Sequence, residues 1–103
     1  MNKRRQDALR ALGFDIERYY VEGFPPVWGL ALTKNGEDVV VIESHGCHTD
    51  NDRHYNKFIV RSERARNWMM GDRRVNDRVI LGPELRIFKT QREAAAWAAR
   101  RYA

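Results

Sequence analysis

Apolar residues Ala8, Leu9 and Leu12 share one side of a helical projection while Lys3, Arg4, Arg5 and Asp7 are left to water, which predicts a short amphipathic N-terminal helix. Gly13 ends it, and Phe14 stands where a C-terminal Schellman cap brings it against Leu9. From Ile16 to Glu22 the residues are β-formers, with Tyr19, Tyr20 and Val21 in the middle, so this stretch reads as a strand. Gly23-Phe24-Pro25-Pro26 then interrupts, because proline has no N–H for a sheet ladder. The clearest local pattern follows. Val27 to Thr33 and Asp38 to Glu43 flank Lys34-Asn35-Gly36-Glu37, and Asn35-Gly36 supplies the two positive-φ residues of a type I′ turn. Trp28, Leu30 and Leu32 alternate with Gly29, Ala31 and Thr33, while the unbroken Val39 to Ile42 run predicts a strand covered on both faces at the sheet's centre.

Beyond Ser44 a polar loop runs to His54, and Tyr55 to Val60 reads as a further strand. Ser62 is a candidate cap for a short middle helix with Ala65, Trp68 and Met69 at i, i+3 and i+4 and Gly71 at its end. Arg73 to Asp77 reads as a polar linker, and Val79 to Leu81 with Leu85 to Phe88 as a second hairpin around Gly82-Pro83. Thr90-Gln91-Arg92-Glu93 has capping-box spacing ahead of a C-terminal helix with Ala94, Trp97 and Ala98 on one stripe and Arg100 and Arg101 near its end. The expectation is one α+β domain over 1–103, a mostly antiparallel sheet built around a 27–43 hairpin, with N-terminal, short middle and C-terminal helices.

Composition narrows the functional classes. Apolar residues make up 43% of the 103 residues and charged ones 32%, the balance of a folded, water-compatible domain. No apolar run reaches the roughly 20 residues of a membrane span, and the basic start leads into Gln6-Asp7 instead of an apolar signal core. The single Cys47 has no partner for a disulfide within the chain, so a cytoplasmic, reducing location is expected, with no membrane partner.

The net charge of +5 is unevenly placed. Residues 1–52 hold six Lys/Arg against nine Asp/Glu, and residues 53–103 hold thirteen against five. Fifteen of the 19 cations are arginine, whose planar fork pairs bidentately with phosphate or carboxylate. Arg61, Arg64, Arg66, Arg73, Arg74 and Arg78 therefore form a candidate phosphate-binding surface, with Arg86, Lys89 and Arg92 further on and Trp68 or Tyr55 available to stack on bases. The competing explanation is that these arginines pair with the acidic first half.

All three histidines and the cysteine fall within ten residues. His45, Cys47, His48 and His54 are candidate ligands for Zn²⁺ or another divalent metal, although His-x-Cys-His is an awkward spacing. With Asp50 and Asp52, the histidines are also candidates for a small metal-dependent nuclease. No phosphate loop, dinucleotide fingerprint or hydrolase elbow is present. The economical expectation is a binding module, without a cofactor, that engages nucleic acid or a nucleic-acid-handling complex. A protein-interaction domain or homodimer is the third reading. In format the chain is similar to small, motif-poor proteins of phages and other mobile elements, anti-CRISPR proteins among them, which implies an inhibitor or accessory role from size and composition alone.

Overall fold

A computed structural model describes residues 1–22, 26–45, 53–70 and 73–103, with the backbone alone for 67–70 and 73–78. The elements run α1 (Lys3–Ala11), β1 (Asp15–Val21), β2 (Val27–Lys34), β3 (Glu37–His45), β4 (Lys57–Arg61), β5 (Arg66–Met70), β6 (Arg73–Ile80), β7 (Glu84–Phe88) and α2 (Gln91–Tyr102). Five strands form one antiparallel sheet in the order β1-β2-β3-β4-β7, and β5 and β6 form a separate two-stranded ribbon inserted between β4 and β7. The α+β class and the two terminal helices match the sequence pattern.

Local chemistry sets the ends of these elements. Asn2 caps α1, its side-chain oxygen accepting from the Arg5 N–H at 2.9 Å. At the other end the Gly13 N–H donates to the Arg10 carbonyl and the Phe14 N–H to the Leu9 carbonyl, the two bonds of a Schellman cap, with Gly13 at φ +92°. Leu9 and Phe14 are both buried, whereas Leu12 is turned to solvent. Asn35 and Gly36, at φ +55° and +79°, turn β2 into β3 so that Lys34 faces Glu37. Thr90 caps α2, accepting from the Glu93 N–H at 3.2 Å and donating to its carboxylate at 3.1 Å.

Both helices cover one sheet face. Leu32, Val40, Ile42 and Val60 pack there against Leu9, Phe14 and the small stripe Ala94, Ala95, Ala98 and Ala99, whose methyl-sized side chains let α2 lie close to the strands. Lys34 donates to the Tyr102 carbonyl at 3.1 Å, placing a cation at the negative end of α2 and tying the hairpin turn to it.

Two expectations fail. The middle helix over 62–71 is not formed, and its described portion is a bend followed by β5. The Ala65 backbone lies against the Tyr19 hydroxyl, and the Ser62 N–H donates to the Pro83 carbonyl, so contacts with distant parts of the chain fix this segment in place of a helical turn. Gly71 lies outside the described residues. The second hairpin also fails, because β6, which includes the expected linker 73–77, pairs with β5 while β7 pairs with β4. The same Ser62–Pro83 bond and an Arg61 bond to the Gly82 carbonyl draw residues 82–84 onto β4.

Thr90→Ala removes the cap of the helix that covers most of the core. It is expected to cost about 1 kcal/mol, which thermal denaturation should read as a melting point roughly 4–8 °C lower.

Candidate functional site

The second sheet face is built differently, with two charged side chains in its interior. Ala31, Val41 and Ile59 are fully buried there, and Glu43 and Arg61 beside them are 0% and 4% exposed. Glu43 continues the apolar run of β3, and its neighbour on β4 is Ile59, with Arg61 one alternation further. The Arg61 Nε donates to Glu43 Oε2 at 2.6 Å, its Nη1 donates to the Gly82 carbonyl at 2.8 Å, and its Nη2 is buried with no partner among the described residues. Tyr19 reaches the other Glu43 oxygen at 3.5 Å. Burial, then the Glu43 charge, push the Tyr19 hydroxyl well above the ordinary tyrosine range. The Tyr19 ring lies over Gly29, where a Cβ would stand 2.3 Å from its Cζ.

From Glu43 the polar contacts continue to the histidines. His45 Nε2 lies 3.2 Å from Glu43 Oε2, the His45 and His54 ring centroids are 5.3 Å apart, and His54 Nε2 lies 2.6 Å from Glu84 Oε1. A turn over 53–56, with Asn56 at φ +54° and its N–H bonded to the His45 carbonyl, folds His54 back beside His45. Arg53 donates to Glu84 at 2.9 Å. Partial burial alone would raise the Glu84 carboxyl, but hydrogen bonds from His54 and Arg53 win and hold it below the usual range.

The structure thus brings together His45 and His54 of the four candidate metal ligands. Each presents Nε2 to a carboxylate. Cys47 and His48, with Asp50 and Asp52, lie outside the described residues, and among the described residues no group of three His, Cys, Asp or Glu is arranged to hold a metal ion.

The six candidate phosphate-binding arginines separate into two groups. Arg61 is buried in its pair with Glu43. Arg64 grips Asp38 bidentately at 2.8 and 2.9 Å and Glu17 at 2.9–3.0 Å, clamping β1 and β3 to the segment that leaves β4. These hydrogen bonds raise the Arg64 pKa further, and the Arg64 contact lowers that of Glu17. Arg66, Arg73, Arg74 and Arg78 all lie on the β5–β6 ribbon, with Arg66 exposed. Of the more distant cations, Arg86 lies over the Phe88 and Trp97 rings at 5.5 and 6.0 Å.

Sequence reasoning overlooked Glu43, Glu84 and the Tyr20–Trp28 pair. A charged residue closing the Val39–Ile42 run was the available signal for Glu43. Trp28, read as an alternating core position, is 59% exposed and stacks on Tyr20, 46% exposed, at 4.2 Å between centroids. No protein-family model matches the chain, and neither a curated protein nor a solved structure matches it.

Two expected outcomes test this network. Arg61→Leu leaves Glu43 buried and uncompensated and should lower unfolding stability by about 3–5 kcal/mol in urea denaturation, with much of the loss recovered in the Glu43→Leu/Arg61→Leu double variant. For Tyr19 the raised folded-state pKa means that stability is complete below the ordinary value of 10.0 and is lost as pH climbs past it, because the unfolded chain ionises first. Melting curves from pH 9 to 11 should therefore fall more steeply for the native chain than for Tyr19→Phe.

Proposed function

We propose that the chain is a non-enzymatic binding module of the cell interior, which engages nucleic acid, alone or within a nucleic-acid-handling complex, through the arginines of the β5–β6 ribbon. The observation that carries this reading is the division of labour among the arginines. Arg61 and Arg64 neutralise carboxylates of the first half, while Arg66, Arg73, Arg74 and Arg78 fall on one ribbon that is not hydrogen-bonded into the five-stranded sheet, and the sequence from 66 to 80 sets only two aspartates against them. A two-stranded antiparallel ribbon is one of the elements by which proteins contact nucleic acid, and arginine forks there neutralise phosphates and release counterions.

The adjacency of His45 and His54 favours a second reading, a small metal-dependent nuclease. One experiment separates the two. Binding of end-labelled DNA and RNA is measured across a salt series for the native chain and for Arg66→Gln/Arg73→Gln/Arg74→Gln/Arg78→Gln, with the label checked for cleavage. The ribbon reading expects intact label and, in the variant, a log–log salt dependence shallower by about 0.7–0.9 for each phosphate contact removed. Equal binding and equal slopes would sink it, and cleavage abolished by chelation would put the nuclease in its place.

A further inference from the structure

One exposed feature is used by neither the core nor the ribbon. Trp28 projects from β2 with Tyr20 of β1 beside it, and the two form the wall of a 390 Å³ cavity floored by Leu30 and Ile42 and rimmed by Arg18 and Ser44. Met1 and Gln91 complete that rim. The next residues along the chain, Asn2 and Arg92, line a second cavity of 440 Å³ together with Arg4 and Arg5, so consecutive residues at the starts of α1 and α2 line the two hollows. Both are of a size that takes a nucleotide.

Charge decides what fits. Neither lining contains an aspartate or glutamate among the described residues, and Arg4, Arg5, Arg18 and Arg92 have no carboxylate partner there. An exposed indole near three guanidinium groups that have no carboxylate partner among the described residues has the composition of a single-strand binding surface, where bases stack on aromatic rings and cations follow the backbone. A purely apolar partner would leave those arginines desolvated and unpaired.

We propose that this surface binds unpaired nucleic acid, with a base stacked on Trp28 against Tyr20 and the adjoining phosphates held by Arg4, Arg5 and Arg92. The site deepens the nucleic-acid reading and rests on it for the class of ligand, but it is separate from the ribbon and selects single strands over duplex. A stacked base in a duplex has no free face for Trp28, whereas an unpaired base does.

The test compares Trp28→Ala, Trp28→Phe, the Arg4→Gln/Arg5→Gln/Arg92→Gln variant and the ribbon variant, using fluorescence anisotropy with a labelled twelve-nucleotide single strand and a duplex of the same length. Trp28→Ala is expected to weaken single-strand binding about tenfold or more with an unchanged salt slope and unchanged duplex binding. Trp28→Phe, which keeps an aromatic face, should retain most of the affinity, and the three-arginine variant should flatten the salt slope. Because Trp28 is mostly exposed, both variants should keep the native melting temperature. Equal single-strand affinity for native and Trp28→Ala chains overturns the proposal and leaves the ribbon reading standing. Loss through Trp28→Ala with no loss in the ribbon variant upholds it and removes the ribbon. Absence of binding to either probe at low salt overturns both, and a dimer in sedimentation that Trp28→Ala converts to monomer overturns this one in favour of a second copy of the chain.

Discussion

The Glu43–Arg61 pair is the constraint around which the second sheet face is organised. A carboxylate with no exposure is tolerable only if its oxygens are taken up by donors, and Arg61, His45 and Tyr19 come from three different elements to do so. Arg61 has a second consequence. Its Nη1 bond to the Gly82 carbonyl fixes the chain just before β7, so that Glu84 aligns with Arg61 and β7 becomes the fifth strand instead of half of a hairpin with β6. Residues 66–80 are then left as an insertion between two neighbouring strands, which explains why the ribbon pairs within itself. The face therefore depends on electrostatic fit where the opposite face depends on aliphatic packing.

This arrangement also accounts for much of the charge asymmetry along the chain. Glu17, Asp38 and Glu43 of the acidic first half meet Arg64 and Arg61 of the basic second half. Sequence distance is converted into contact by the antiparallel order, because β4 and the segment after it return across β3 and β1. The excess of positive charge that remains is redistributed: part stays on the ribbon and part, Arg4, Arg5 and Arg92, gathers where the two helices begin. A count by halves of the chain located the first group and, of the second, only Arg92, since Arg4 and Arg5 belong to the half with negative net charge.

Where local chemistry decides structure, the sequence was legible. Gly13 with Phe14, Asn35 with Gly36, and Thr90 with Glu93 each act within six residues, and each appears as its pattern implies. The middle segment was illegible for the complementary reason. Three apolar residues at helical spacing in ten positions are weak against a Tyr19 hydroxyl and a Pro83 carbonyl that come from elsewhere in the chain. The same limit applies to the site. His45 and His54 were picked out as a cluster and are indeed neighbours, but their partners Glu43 and Glu84 come from pairing registers that no spacing rule reveals.

Trp28 shows how one alternation pattern can hold both scaffold and surface. Along β2, Trp28, Leu30 and Leu32 share a face. The helices cover Leu32, whereas Leu30 lines the hollow beside Trp28 and Tyr20, and Trp28 itself is left exposed. Helix length and placement, not residue type, decide which apolar positions are core. Since α2 is held at its far end by Lys34 and approaches the sheet on alanines, its first residue, Gln91, lines the hollow of Trp28 while Arg92 lines that of Arg4 and Arg5. The packing that buries the core is thus the same packing that leaves an aromatic wall and a group of uncommitted arginines side by side.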